Sequence, residues 1–242
     1  MNPAFVVPIA FGASLLGALS GGSSSMITIP AWVALGSSFP VAVAADKVAG
    51  MFWTLAAARA YLIHRTIDRS LLVMMGLAGL AGAATGAWVA TTLDERVLRR
   101  GAAALILGAL LLSLRRPPEA ATPSALGRGY AAAAAFPLGV YEGLLGSGNS
   151  ILTSLLLQRT RGWDLLLALG HYYALAAMWC ALAAAVYVAR GAFDPRLTLY
   201  ASVGSVMGGS LGARLGRSQG SALVRPLFVI AGLVLALRLL FS

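Results

Sequence analysis

Apolar residues run almost unbroken along this chain and are divided into segments by short, arginine-bearing loops. The runs are Pro3 to Ala18, Pro40 to Ile63, Leu71 to Leu93, Val97 to Leu114, Tyr130 to Leu145, Leu165 to Ala189, Leu197 to Ala213 and Leu223 to Phe241. Most approach the ~20 residues that cross a bilayer, so hydropathy predicts about eight helical segments and an all-α polytopic membrane protein. The first run has neither a basic start nor an A-x-A-like cleavage site, which predicts a retained helix rather than a signal peptide.

Two places break the pattern. Gly21-Gly22-Ser23-Ser24-Ser25-Met26-Ile27-Thr28 and Gly146-Ser147-Gly148-Asn149-Ser150-Ile151-Leu152-Thr153 lie 125 residues apart, and each sets a flexible, hydroxyl-rich knot inside apolar sequence. Backbone polar groups freed at such a knot must find partners when no water is at hand. The same offset brings Asp46 onto His171 and Arg65 onto Arg190. After one inserted residue it brings Asp68 onto Asp194, Gly82 onto Gly208, Gly86 onto Gly212 and Arg99 onto Arg225. The chain therefore reads as two homologous halves, residues 1–114 and 128–242, joined by a polar, Pro-rich linker over residues 115–127.

Span length sets the expected orientation of the halves. Arg128 to Arg161 covers only about 33 residues, fewer than the ~40 that two crossings need. The knot then belongs at membrane depth on a re-entrant hairpin, with a half-helix from Asn149 to Gln158 returning toward the side of entry. The first half has the same shape, Pro3 to Ser20 entering and Ser24 to Leu35 returning. Three full spans after each hairpin make the two copies inverted, a plan shared by many secondary transporters. Ten arginines (65, 69, 115, 116, 128, 159, 161, 214, 217, 225) against six (96, 99, 100, 190, 196, 238) place the linker in the cytoplasm.

Composition agrees: 59% of residues are hydrophobic and 11% charged, with mean hydropathy +0.83. The net charge of +10 sits in loops between apolar spans, where cytoplasmic retention accounts for it and nucleic-acid binding does not. One cysteine, Cys180, excludes an internal disulfide, and two histidines cannot complete an ordinary zinc set, so neither a metal nor another cofactor is implied.

A half-helix beginning at midplane presents unpaired N–H groups and a positive dipole end, which is an anion site. Gly22, Ser23, Ser24 and Ser25 in the first knot and Gly148, Asn149 and Ser150 in the second are the candidate binding groups. The alternative is that small residues serve close helix packing. That reading fits Gly82, Gly86, Gly208, Gly209 and Gly212 better than it fits duplicated hydroxyl clusters. Lys47, the only lysine, lies about two turns inside a predicted span beside Asp46, where an ionisable group implies a function unless it snorkels to the interface. Its repeat counterpart is Tyr172, a neutral donor and the last candidate binding residue. Asp46, Glu142 and His171 are candidates for proton coupling. For His171 and Glu142 a structural hydrogen-bonding role is the competing reading.

The knot followed by apolar residues and a proline, Gly21 through Pro30, repeated in the second half, resembles the TauE/SafE sulfite exporter family, also described as sulfonate permeases. The resemblance covers nearly the whole chain. Departures from the fuller glycine signature are Ser23, Ser24 and Ser25 in the first copy, Asn149 and Ser150 in the second, and Leu155 where a second proline would fall. The resemblance implies export or uptake of sulfite, sulfonates or related small organic anions across the bacterial inner membrane, and the titratable candidates above point to H⁺ or another ion as coupling partner. An intramembrane hydrolase is disfavoured because neither knot carries a Gly-x-Ser-Gly motif and no His-Glu-x-x-His motif exists. A non-transporting membrane scaffold is the other alternative.

Overall fold

The computed structural model describes residues 2–92 and 125–220, with Val224, Pro226, Leu227, Ile230 and Leu233 beyond them. The expected run Val97 to Leu114, most of Leu223 to Phe241, nearly all of the linker and Arg96, Arg99, Arg100, Arg115, Arg116, Arg225 and Arg238 lie outside the described residues. Among the described residues there are eight helices and no strand: α1 (Pro3–Ser20), α2 (Ser25–Ala34), α3 (Phe39–Leu62), α4 (Arg69–Ala90), α5 (Ala125–Leu144), α6 (Asn149–Arg161), α7 (Leu165–Ala189) and α8 (Pro195–Gln219). Helices α1, α3, α4 and α7 are long and apolar enough to cross a membrane, whereas α2 is apolar but has only 10 residues. At 1.5 Å per residue it is about 15 Å long, half of a hydrocarbon core.

Local chemistry sets the helix ends. Asn2 caps α1 through its side chain with Pro3 following, and Asp68, Asp164 and Asp194 cap α4, α7 and α8 by accepting first-turn N–H groups. The entering helices α1 and α5 stop alike. Gly21 (φ 69°) and Gly146 (φ 71°), one repeat apart, adopt the left-handed backbone that closes a helix C-terminus. The end carbonyls are taken up by tyrosines from the central helices: Tyr61 donates to Ala18 O at 2.7 Å and Tyr187 to Gly143 O at 3.1 Å.

Packing is reciprocal between residues 2–92 and 125–220. Helix α1 lies along α8 and α5 along α4, while α3 and α7 pack on each other in the middle. Each hairpin's entering helix thus rests on the last described helix of the other half. A Cβ at Gly208 would overlap Phe11 O, and one at Gly82 would overlap Phe136 O. Gly82 and Gly208 are repeat-related, as are Phe11 and Phe136, so the same backbone-to-backbone approach occurs twice. This is the packing face that the Gly-xxx-Gly spacing implied. Gly208→Ala is accordingly expected to cost at least about 1–3 kcal/mol. Gly12→Ala, with open space around its Cβ, should be neutral or gain up to about 1 kcal/mol from helix propensity. Thermal unfolding in detergent reads both; equal midpoints for the two variants would remove the glycine seam as a source of stability.

Ion-paired loop residues gather at one end of the bundle. Arg65 pairs with Asp164 at 2.7 Å, and Asp68 accepts from Arg128 at 3.1 Å and Arg161 at 3.2 Å. Burial works against ionisation at Asp68, but the Leu71 N–H and the two guanidiniums outweigh it and hold the carboxyl below the usual carboxylate range. A lowered pKa contributes stability that is fully present above the ordinary carboxylate pKa and is lost as pH falls through the folded-state value. Wild-type unfolding temperature should therefore drop on acidification, and Asp68→Asn should flatten that drop. An unchanged pH slope in the variant would assign the acid sensitivity to other groups.

Candidate functional site

The two knots converge on consecutive residues of α3. Asp46 turns to the first knot, where Ser25 Oγ donates to its Oδ2 at 2.7 Å and the Thr28 hydroxyl donates to its Oδ1. Lys47 turns to the second knot, where its Nζ lies 2.8 Å from Glu142 Oε1 and 3.1 Å from Leu145 O. All of these side chains are buried, Lys47 completely. Successive residues of a helix point about 100° apart, so one turn of α3 serves both helix breaks. Lys47 is the ninth of 24 residues in α3, about 12 Å along an axis roughly 36 Å long. That depth leaves no route for its stem to snorkel, and its ammonium is bound to a carboxylate of the other half.

Around the ion pair the second knot is built by close approach. A Cβ at Gly146 would overlap both Glu142 Oε1 and Lys47 Nζ, so only glycine lets the loop pass over the pair. Asn149 Nδ2 donates to Glu142 Oε2 at 2.8 Å and to Leu138 O at 3.1 Å, and Tyr172 donates to Oε2 at 3.3 Å. Cys180 Sγ lies 3.4 Å from Oε1. Glu142 is thereby bound from α3, α6 and α7 at once. With both carboxylates ionised, Asp46, Lys47 and Glu142 sum to one net negative charge.

The knots differ in one chemical respect. In the first, the hydroxyls at the start of α2 are engaged: Ser25 and Thr28 hold Asp46, and Ser23 donates to Ser25 at 3.0 Å. Ser24 precedes α2 without a side-chain capping bond, and the Gly22 carbonyl accepts from Tyr173 at 3.2 Å. In the second, Ser150, Thr153 and Ser154 hydroxyls and the Asn149 Oδ1 are fully buried and have no hydrogen-bond partner among the described residues. Gly148 precedes α6 in the left-handed conformation at φ 80°. Ser150 and Thr153 are the repeat equivalents of Ser25 and Thr28. They lack an acceptor because the equivalent of Asp46 is His171, whose ring is bound elsewhere: Nε2 accepts from Asp68 N–H at 3.2 Å and Nδ1 meets Leu167 O at 2.9 Å.

The structure therefore brings together eleven of the twelve residues singled out in the sequence, around two knots and one turn of α3. His171 is apart from them. Its ring stacks on Trp163 at a centroid distance of 4.2 Å among the loops of the Asp68 cluster, which is the structural hydrogen-bonding alternative. Thr28, Thr153, Ser154 and Cys180 were not singled out. Thr28 and Thr153 carried a readable signal, since both lie three residues after a knot serine and 125 residues apart.

A buried ion pair thus joins α3 to α5 beside two helix breaks lined by hydroxyls inside an apolar bundle, and ionisable groups so placed mark a functional site in a membrane protein. The sulfite exporter TauE/SafE family profile matches residues 6–239, and the chain belongs to that family. It is 28% identical over 245 residues to the probable membrane transporter protein ORF9 of a Sinorhizobium species, covering 98% of this chain and 92% of that one. It is 24% identical to a probable membrane transporter protein of Haemophilus influenzae (97% and 92% covered) and 26% identical to the probable membrane transporter protein YfcA of Escherichia coli (97% and 88% covered). No solved structure matches the chain. The protein is thus a multi-pass membrane transporter, not an enzyme.

Proposed function

We propose that the chain is a secondary transporter that moves a small oxyanion, of the sulfite or sulfonate class, across the bacterial inner membrane, and that the anion binds at the start of α6. One observation carries this reading: the hydroxyls of Ser150 and Thr153 stand where their repeat equivalents, Ser25 and Thr28, hold the carboxylate of Asp46. The first half-helix is matched to the protein's own anion. The second offers the same pair of hydroxyl donors, with that of Ser154 beside them, to an anion from outside. This divides a task that the sequence pattern assigned equally to both knots. Ser23 supports Asp46 through Ser25, and Gly22 and Ser24 shape the loop that leads into α2, while Gly148 and Ser150 face the substrate and Asn149 holds Glu142.

Lys47 supplies the fixed cation, but Glu142 already neutralises it. An incoming anion would add a second negative charge to a buried cluster that holds one, which is costly away from water. A proton on Glu142 removes that obstacle and releases Lys47 to the substrate. The reading is therefore proton-coupled anion movement, with Glu142 as proton site, Asp46 as the standing counter-charge, and Tyr172 and Asn149 holding the glutamate in either state. The duplicated knots and the reciprocal helix contacts support two halves inverted about the membrane plane, in the residue ranges 1–114 and 128–242. The arginine balance supports a cytoplasmic linker.

Uptake of radiolabelled sulfite and of a short alkylsulfonate into proteoliposomes tests the site. Each hydrogen bond to a charged partner is worth about 1.5–3 kcal/mol, so Ser150→Ala or Thr153→Val should raise the half-saturating concentration roughly ten- to hundredfold. Ser24→Ala should leave it near wild type. Wild-type affinity in both α6 variants would sink the assignment of the anion to this helix start.

A further inference from the structure

A groove of about 740 Å³ runs between the C-terminal parts of α3 and α8, lined by none of the knot residues. Phe52, Leu55 and Ile63 line it from α3, with Leu55 60% and Phe52 46% exposed. Arg59 of α3 and Arg214 and Arg217 of α8 line it as well. The three arginines fall within two turns of the ends of their helices, whereas Phe52 and Leu55 lie one to two turns deeper along α3. The groove thus grades from cationic at its mouth to apolar inside the span.

No carboxylate of the described residues balances these charges. Asp46 and Glu142 are buried at the knots, while Asp68 and Asp164 hold Arg65, Arg128 and Arg161. Asp194 caps the far end of α8, about 30 Å from Arg214 along the helix. Residues 221–242 contain no acidic side chain, so the adjoining segment of the chain offers no counter-ion either. Guanidinium groups have the fork geometry suited to phosphate, and a basic pocket between transmembrane helices is chemistry suited to a lipid headgroup. Charge complementarity at the mouth and apolar lining below call for an anion that carries a hydrocarbon tail.

We infer that this groove is a binding site for an anionic phospholipid, its phosphate held by Arg59, Arg214 and Arg217 and an acyl chain laid along Phe52 and Leu55. The lipid rests on α3, the helix whose Asp46 and Lys47 meet both knots, so its occupancy steadies the element that carries the site. The site does not depend on the identity of the transported solute.

Native mass spectrometry of the purified full chain, relipidated with phosphatidylglycerol or with phosphatidylcholine, tests this. Wild type should retain phosphatidylglycerol and not phosphatidylcholine. Arg59→Gln/Arg214→Gln/Arg217→Gln should reduce phosphatidylglycerol retention about a hundredfold. Arg190→Gln/Arg196→Gln, at the other end of the bundle, should leave retention unchanged. If the triple variant does not fold, Arg214→Gln/Arg217→Gln reads the same loss, and Leu55→Asp tests the acyl path on its own. Equal retention by wild type and the groove variants overturns the site. So does equal loss in the Arg190/Arg196 variant, which would show a diffuse charge effect. Displacement of the lipid by inorganic phosphate at matched concentration also overturns it, because the groove would then recognise a free anion rather than a lipid.

Discussion

Lys47→Met should abolish anion flux, and should also destabilise the protein in a way that a second substitution reverses. The methionine keeps most of the packing volume but leaves Glu142 without its cation in a site closed to water. Removing one partner of a buried pair costs about 3–5 kcal/mol, because the remaining charge is uncompensated. Lys47→Met/Glu142→Gln removes both charges and should return the unfolding midpoint toward wild type, since an apolar or neutral replacement of a buried pair is often close to neutral in stability. Transport should not return with it. Recovery of the fold without recovery of flux separates the lysine's role toward the substrate from its role in holding α3 to the second knot. Near-normal flux through the double variant would take Lys47 out of the binding site and leave recognition to the α6 hydroxyls and backbone amides.

Much of this arrangement is legible in the sequence because a repeat is a comparison a single chain makes with itself. The offset of 125 residues locates both knots, and the glycines that end α1 and α5, Gly21 and Gly146, adopt the same left-handed backbone. Helix bounds follow closely: Ser24 to Leu35 is expected and Ser25–Ala34 observed, and the expected break after Gly146 is where α5 gives way to α6. Apolar run length decides these, and nothing in the tertiary packing opposes it. The Gly-xxx-Gly seams are equally readable, because a stripe of small residues has one common physical use inside a membrane.

Partner choice is not readable in the same way. Lys47 and Glu142 are 95 residues apart in the chain, and no local pattern says which carboxylate meets which ammonium. Asp46 stands beside Lys47 in sequence yet faces the other knot, because neighbouring residues on a helix diverge. His171 illustrates the opposite failure. Repeat alignment places it on Asp46, inside the site, but its ring is taken by the Asp68 N–H and the Leu167 carbonyl. A matching position in the sequence does not fix the partner of a side chain that has an alternative within reach. The asymmetry between engaged hydroxyls in α2 and unpartnered ones in α6 follows from that one side chain.

Glu142→Gln should uncouple anion movement from the proton gradient. Glutamine keeps the length and a carbonyl oxygen for Lys47 and places an amide NH2 where Oε2 accepted from Asn149 and Tyr172, while the charge sum over positions 46, 47 and 142 moves from one net negative to zero. Groups facing this position are Lys47 from α3, Asn149 from α6, and Tyr172 and Cys180 from α7, with Asp46 next along α3. Of these Lys47 is the fixed cation, so the variant resembles the protonated state of the wild-type site at every pH. Anion exchange across a membrane with equal pH on both sides should persist, with an affinity that no longer varies with pH. An imposed pH gradient should accumulate labelled sulfite in wild-type proteoliposomes and fail to do so with the variant. The difference in kind matters more than its size, because a residue that merely braces the knot would lower exchange and gradient-driven uptake together. Persistence of gradient-driven accumulation in Glu142→Gln would move the proton site to Asp46, the one other carboxylate among the described residues that touches a helix break. The decisive variant would then be Asp46→Asn, in which one of Ser25 and Thr28 keeps a carbonyl oxygen, the other hydroxyl turns to accept from the new amide, and no carboxylate is left to protonate.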